Sequence, residues 1–350
     1  MRLLIALVLG AVAATAQQSL DVLLHQTFET DTAGWAAFGQ GAAVHATNHA
    51  LALTYEVHPK QIAAAFLPAS PAFSRLQQLR FRVKSDHDTV LGVILSEKQP
   101  GGGNYNAWFW APANTWQDIE LTPADFIASD GPTDPVDADG KLDTDSLQGI
   151  GIVDVAQLFA AAPDNPEFPV VIDRASGAHT ILMEDFQVLS SPRQRPAAGV
   201  IDTFDRGFLQ WVTLGGMELK LSTAENPLGR RALQAKYQQV EGQFELLTRR
   251  LSNFDLSKAA SLAFDIASEQ ESTVVISLEL KQGGRYNLTI YPPGGREVFH
   301  VNVKLGDFQG PGKLDPAQLK SLAMVDITSA SGGAPATNTI WIGKVETLSN

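Results

Sequence analysis

Alternation of apolar and polar residues is clearest in one stretch of the chain, and this stretch occurs twice. The first copy spans residues 103–110 and the second spans residues 284–291. Side chains on a β-strand point to opposite faces in turn, so Tyr105, Ala107 and Phe109 share one face. The second copy is also apolar on that face. The pattern predicts two equivalent strands, each with one side against a core.

The opposite face of both strands mixes amides, charges and aromatic rings. In the first copy it consists of Asn104, Asn106, Trp108 and Trp110. In the second copy the candidates are Arg285, Asn287 and Tyr291, with Thr289 in place of a tryptophan. Sugar rings pack their flat C–H faces on aromatic rings, and their hydroxyls need directional polar partners. We therefore predict a carbohydrate-binding face, chiefly in the first copy. The alternative is that both tryptophans pack beneath a loop or against another domain.

The duplication extends well beyond this strand. Residues 27–29 and 203–205 both read Thr-Phe-acid, and each precedes a tryptophan by the same separation. Residues 140–143 and 312–315 both read Gly-Lys-Leu-Asp, and each is followed by Val-Asp. The shared order of such matches predicts a duplicated domain rather than a short-period solenoid. We expect domain 1 at residues 19–191, a proline-containing linker at 192–199 and domain 2 at 200–350.

Short runs rich in β-branched and aromatic residues recur along both copies. Residues 44–57 predict a hairpin with its turn at Asn48-His49. Further strands are expected at residues 79–83, 89–96, 116–121, 145–155 and 179–189, and at 272–280, 298–304 and 339–348. The fold class is therefore predicted as all-β, with two tandem antiparallel β-sandwich (jelly-roll) domains.

Composition and the first residues predict where the protein works. The 350 residues include no cysteine and carry a formal net charge of −12. A basic start, a short apolar run and an Ala-Thr-Ala ending predict a signal peptide at residues 1–16, and hence a secreted or periplasmic protein without a transmembrane segment. An acidic chain is poorly suited to neutralising phosphates, so we expect no nucleic-acid partner.

These motifs, from the opening Phe-acid to the Gly-Lys-Leu-Asp passage, resemble those of galactose-binding-like jelly rolls in non-catalytic carbohydrate-binding modules. They are also similar to the complex I intermediate-associated domain. The resemblance implies a structural calcium ion held by Glu29 and Asp185 in domain 1. Domain 2 departs from that pattern, because Lys344 replaces the second acid. There we expect no calcium, and a Lys344–Asp205 pair instead.

Catalytic motifs are absent from the sequence. It contains no G-x-S-x-G, H-E-x-x-H or G-x-x-x-x-G-K-[ST] pattern, and its seven histidines are scattered. Carboxylates are too numerous for their count to argue for or against a glycosidase pair. We therefore predict a non-enzymatic glycan-binding protein. The alternatives are a structural or assembly protein that binds a protein partner, and a jelly-roll enzyme that degrades polysaccharides.

Overall fold

The computed structural model describes residues 21–58, 62–131, 134–157, 177–192, 197–213, 216–223 and 225–349. The predicted signal peptide and residues 193–196 of the predicted linker lie outside this part of the chain. The described residues form 24 β-strands with short helical turns between them, which confirms the all-β fold class. None of the described helical segments has the length and apolar character needed to cross a bilayer.

Domain 1 contains the first twelve strands. They are β1 Val22–Gln26, β2 Ala36–Phe38, β3 Ala43–Thr47, β4 Ala50–Glu56, β5 Ala64–Pro68, β6 Gln78–Ser85, β7 Thr89–Glu97, β8 Asn104–Ala111, β9 Gln117–Leu121, β10 Ile127–Ala128, β11 Leu147–Asp154 and β12 Ala178–Leu189. Asn48 and His49 both adopt positive φ at the β3–β4 turn, as the predicted hairpin requires.

Two antiparallel six-stranded sheets form the sandwich of domain 1. One has the order β3-β4-β12-β6-β9, with β1 also paired to β12; the other has the order β10-β8-β7-β11-β5-β2. Alternate residues of β6 and β7 face each other across the core, including Leu79, Phe81, Leu91 and Val93. The period-2 pattern of each strand thus becomes one buried layer between the sheets.

Domain 2 contains the other twelve strands. They are β13 Val200–Asp202, β14 Trp211–Thr213, β15 Glu218–Ser222, β16 Ala232–Gln238, β17 Glu245–Arg250, β18 Ser261–Ser268, β19 Val274–Leu280, β20 Arg285–Ile290, β21 Val298–Lys304, β22 Leu319–Asp326, β23 Thr337–Ile342 and β24 Val345–Leu348. A seven-stranded sheet has the order β13-β24-β18-β23-β16-β15, with β21 also paired to β18. The facing sheet has the order β14-β17-β22-β19-β20.

The two domains repeat the same buried hydrogen bond at one end of the sandwich. Tyr55 donates its hydroxyl to Asp154 at 2.6 Å, and Tyr237 donates to Asp326 at the same distance. Each aspartate is the second residue of one of the two equivalent Val-Asp pairs found in the sequence. The duplication therefore extends to individual buried contacts.

One strand prediction is wrong, because residues 339–348 form two strands rather than one. β18 pairs with β23 through residues 266–268 and with β24 through residues 261–263. The break falls at Gly343 and Lys344. The equivalent point of domain 1 is a bulge in β12, where Asp185 has a φ of 49° and the register with β6 shifts. Both copies thus interrupt the last long strand at the same place.

Candidate functional site

The face of β8 that was predicted to bind a ligand is largely covered. Asn106 and Trp110 are only 7% and 4% exposed, while Asn104 and Trp108 are half-buried. The inward face, which includes Phe109, is buried as its parity predicts. The expectation of an open aromatic face in domain 1 is therefore wrong for its central residues.

Domain 2 provides the cover, because the two domains join their sheets edge to edge. β10 pairs with β8 only through Tyr105 and Asn106, so no described strand of domain 1 pairs with that edge beyond Asn106. Phe109 forms an antiparallel bridge with Leu209, and the backbone N–H of Gln210 donates to the backbone carbonyl of Trp108 at 2.5 Å. An unpaired strand edge is readily extended by another strand. The five-stranded sheet of domain 2 thus continues the sheet that contains β8.

Arg250 of β17 occupies the place beside Trp108 that was predicted for a sugar. Its guanidinium carbon lies 4.1 Å from the centroid of the Trp108 ring. Its Nη1 donates to Asn106 Oδ1 at 2.5 Å and to Gln210 Oε1 at 3.2 Å. Burial lowers the pKa of Arg250 to about 10, which leaves the group charged at neutral pH. This contact joins the domains through a cation–π interaction and charged hydrogen bonds.

Trp110 is covered in the same way. It lies in the apolar cluster that includes Phe208 and Val212 of domain 2. Both Trp108 and Trp110 thus pack against the other domain, which was the alternative prediction from the sequence. Asn106, Trp108 and Trp110 therefore hold the two sheets together in the folded protein.

A cavity of about 480 Å³ lies elsewhere along the junction. Its buried charges are matched within the protein. Arg206 Nη1 donates to Asp125 Oδ1 at 2.7 Å, and Arg249 Nε lies 3.3 Å from Asp202 Oδ2. We assign this cavity to the joint between the domains, since its buried cations already have anionic partners.

The equivalent strand of domain 2, β20, keeps its predicted face open. Arg285 and Asn287 are exposed, and Tyr291, directly after the strand, is 67% exposed. Tyr286 and Ile290 are buried on the other side. β20 is the outer strand of its sheet, on the side away from domain 1. Distance from the junction therefore accounts for the different exposure of two strands with the same pattern.

Small side chains lie beside Asn287 in a row across the sheet. Asn287 pairs with Ser277, Ser277 with Ala323, and Ala323 with Thr248. The last three are half-buried and face the same side as Asn287. With adjacent strands about 4.8 Å apart, the row is about 14 Å long. It forms a shallow floor with hydroxyl and amide groups at its surface.

The next row along the strands carries charge. Arg285 pairs with Glu279, Glu279 with Ser321, and Ser321 with Arg250. The Ser321 hydroxyl donates to Glu279 Oε2 at 3.3 Å. We define the domain 2 face as these two rows with Tyr291, namely Asn287, Ser277, Ala323, Thr248, Arg285, Glu279, Ser321, Arg250 and Tyr291.

Several residues of this face could not be found by examining one strand at a time. Thr248, Ser277, Glu279 and Ser321 are outward positions of strands whose local sequence resembles any half-buried strand. Only their cross-strand pairing with β20 and with each other brings them together. In the sequence, only the alternation of polar and apolar residues over 285–291 indicated that this face exists.

The calcium site predicted at Glu29 and Asp185 stays a prediction. Both carboxylates are exposed. Gln26, the last residue of β1, pairs with Phe186, so the chain leaves β1 next to Asp185 and reaches Glu29 three residues later. His25 Nε2 lies 3.4 Å from Asp185 Oδ1. Accessible carboxylate oxygens are ligands that suit calcium.

The lysine–aspartate pair predicted for domain 2 is wrong. Lys344 donates its ammonium to Glu346. Asp205 accepts a hydrogen bond from the Thr203 hydroxyl at 2.8 Å, and Arg231 Nη1 lies 3.9 Å from it. Residues 344 and 346 are two apart at the start of β24, so their side chains point to the same side. Lys344 therefore pairs with the nearer carboxylate, that of Glu346.

No family model matches the chain, and no curated protein matches it. One similar solved structure is a family 11 carbohydrate-binding module from Clostridium thermocellum in complex with a mixed-linked tetrasaccharide. It is 14% identical to this chain with a TM-score of 0.36, and the match covers 49% of this chain and 98% of the module. A tandem pair of family 22 modules from Paenibacillus barcinonensis is 13% identical with a TM-score of 0.31, covering 96% of this chain and all of the pair.

An exo-β-agarase is 15% identical with a TM-score of 0.37, covering 44% of this chain and only 26% of the agarase. These identities and TM-scores are too low to transfer an activity, so the function proposed below rests on the site. Carbohydrate-binding modules are nevertheless among the solved structures to which this chain is similar, as the motifs in its sequence predicted.

Proposed function

We propose that this protein is a secreted or periplasmic, non-catalytic carbohydrate-binding protein that holds a glycan on the domain 2 face. The observation that carries the proposal is the row of small side chains that ends at the exposed Asn287, with the exposed ring of Tyr291 four residues further along the chain. Flat polar floors with an aromatic ring at the edge suit the amphipathic surface of sugars.

Each part of the face has a role in this proposal. The ring of Tyr291 packs against the C–H face of one sugar unit. The Asn287 amide and the Ser277 hydroxyl can donate and accept hydrogen bonds with sugar hydroxyls. The small side chain of Ala323 lets the glycan approach the backbone of the sheet. The row of about 14 Å offers room for an oligosaccharide rather than a single sugar.

The composition of the face argues for binding rather than hydrolysis. Glu279 is the one carboxylate among the nine residues that define it, and it accepts a hydrogen bond from Ser321. Glycosidases ordinarily need two carboxylates on either side of the scissile bond. We therefore propose recognition without turnover.

A glycan array and isothermal titration with the full-length mature protein test the proposal. Tyr291→Ala and Asn287→Ala should each weaken binding to the best glycan by about tenfold, which corresponds to about 1.4 kcal/mol. The matched control is Phe38→Ala, which removes an exposed ring on β2 at the far edge of domain 1. This variant should bind as the unchanged protein does.

Three results would count against the proposal. Full affinity in both domain 2 variants would place the glycan elsewhere on the protein. Absence of binding to every polysaccharide by the folded protein would favour the alternative of a protein partner. Release of reducing sugar from any polysaccharide would contradict the non-catalytic assignment.

A further inference from the structure

Two histidines and an aspartate meet at one end of domain 1. His87 lies in the turn between β6 and β7, and His179 lies near the start of β12. Their rings stack with centroids 3.7 Å apart and an angle of 28° between the planes. Asp86 Oδ1 lies 2.7 Å from His87 Nδ1 and 3.3 Å from His179 Nδ1. Three metal-ligating groups thus lie within 4.8 Å of one another.

A second carboxylate lies behind the first imidazole. Asp154 is fully buried, and its Oδ2 lies 3.2 Å from His87 Nε2. Tyr55 and Thr89 each donate a hydroxyl hydrogen bond to this carboxylate at 2.6 Å, which holds it in place. A carboxylate behind a ligating histidine orients the ring and makes it a better electron donor. His87 is therefore held with its other nitrogen, Nδ1, toward Asp86.

Domain 2 shows that the fold does not require these histidines. Ile181 pairs with Ser85 in domain 1, and Ile340 pairs with Ser268 in domain 2. Counting from these two pairs, Asn338 occupies the place of His179 and Gln270 that of His87. The Asn338 side-chain amide donates to Ser272 Oγ at 2.9 Å and to the Tyr237 hydroxyl at 3.2 Å. Its oxygen accepts from the backbone N–H of Gln270 at 3.1 Å. Neutral hydrogen bonds close that end of the sandwich.

The histidine cluster is closed less completely. Asp86 lies within hydrogen-bond distance of Nδ1 of both rings, but among the described residues the buried Nε2 atom of His179 has no hydrogen-bond partner. Asp86 is exposed and the two rings are half-buried, so an ion can reach the cluster from solvent. Asp86 and Asp154 also supply negative charge that a divalent cation would balance. The substitution of two amides by two histidines therefore adds metal-binding chemistry to domain 1.

We propose that Asp86, His87 and His179 bind a divalent transition-metal ion of the zinc class. Two imidazoles and one carboxylate form a ligand set that suits Zn²⁺, whereas Ca²⁺ prefers oxygen ligands. This site is separate from the calcium predicted at Glu29 and Asp185, and it does not depend on the proposed glycan binding. Bound metal would tie two segments that are 93 residues apart in the sequence.

Chelator-stripped full-length protein titrated with zinc chloride alone tests the proposal. We expect one zinc ion per chain by equilibrium dialysis. The midpoint of thermal unfolding should rise by about 5 °C when zinc is in large excess over its dissociation constant. Calcium chloride at the same concentration should leave the zinc-binding stoichiometry unchanged.

The matched variant is His179→Asn, which installs the residue that domain 2 carries at this place. It should fold, melt near the midpoint of the metal-free protein and lose the zinc response. His87→Gln, the other domain 2 residue, provides a second variant with the same expected loss. The control is His300→Asn, which removes an exposed histidine 2.6 Å from Asp265 and should keep the response.

Zinc uptake in His179→Asn and His87→Gln equal to that of the unchanged protein would overturn the proposal. Absence of both uptake and thermal shift in the unchanged protein would also overturn it. Loss of the response in His300→Asn would place the zinc at another site and count equally against it.

Discussion

At the scale of single residues, the ion pair between Arg206 and Asp125 links the two domains. The guanidinium donates to both oxygens of the carboxylate, at 2.7 and 2.5 Å, and to the Glu120 carbonyl at 2.6 Å. Burial by itself raises the pKa of Asp125, but the hydrogen bonds and charge of Arg206 outweigh it, together with bonds from Thr122. The net result is a pKa below the ordinary value.

The lowered pKa of Asp125 gives the pair a defined pH dependence. Its stabilisation is fully present above the ordinary aspartate pKa of about 3.9, and it is lost as pH falls through the lower pKa of the folded state. In Arg206→Ala the carboxylate stays buried without its cation. We expect the free energy of unfolding at pH 7 to fall by about 3 kcal/mol. Burial then raises the pKa, so this deficit should shrink as pH falls toward 4.

Urea unfolding at pH 7, 5 and 4 measures the effect. Arg75→Ala is the control, because Arg75 is 66% exposed and its Nη1 lies 3.9 Å from Asp21. Exposed pairs contribute little, so this variant should stay within about 0.5 kcal/mol of the unchanged protein. A deficit in Arg206→Ala that is the same at pH 7 and pH 4 would contradict the argument.

At the scale of elements, β11 shows how closely one strand fits its neighbours. Gly149 pairs with Pro68 of β5 and with Ser96 of β7. A Cβ atom at Gly149 would lie 2.0 Å from Phe66 Cζ and 2.9 Å from the Leu67 carbonyl oxygen. The ring could turn away, but the carbonyl belongs to the backbone of a paired strand. This position therefore has no room for a side chain.

Gly149→Ala should accordingly lower the free energy of unfolding by about 2 kcal/mol, as overpacking of a filled layer does. The matched control is Gly151→Ala on the same strand. A Cβ atom there would lie 3.8 Å from its nearest neighbours, an ordinary contact. Alanine at that position should be neutral or slightly stabilising, because it reduces the entropy of the unfolded chain. Equal losses in the two variants, measured by chemical denaturation, would contradict this account of the strand.

At the scale of the whole molecule, Leu209 makes the two sandwiches one unit. Its side chain lies in the core cluster of domain 1, although the strand that follows it, β14, belongs to domain 2. Arg250 adds its contact with Trp108 on the adjoining face. Domains that share a core residue and a strand edge should unfold together.

Calorimetry of the full-length protein should therefore show a single unfolding transition. Leu209→Asp places a carboxylate in the domain 1 core and should split the transition in two. Tryptophan emission should also shift to longer wavelength as Trp108 and Trp110 meet water. Val240→Asp, at a 41% exposed position of domain 2, should change neither property. Two transitions in the unchanged protein would show that the junction is too weak to couple the domains.

The sequence by itself determined the local features of this protein. Alternation predicted which side of β8 and β20 faces the core, and Asn48-His49 marked a tight hairpin. The ordered matches between the copies predicted the duplication that the Tyr55–Asp154 and Tyr237–Asp326 bonds now display. Each of these features depends on neighbours in the chain or on comparison of the chain with itself, so the residue pattern carries it directly.

Only the tertiary structure decided which outward faces meet water. β8 and β20 carry the same pattern, yet the ring of Trp108 is covered by Arg250 of the other domain, and its backbone N–H donates to Gln210, 102 positions away. The meeting of His87 with His179 and the row from Asn287 to Thr248 likewise depend on strand order. A strand's own pattern distinguishes its core side from its other side. What packs on that other side depends on the complementarity of distant surfaces, which the local alternation of residues does not encode.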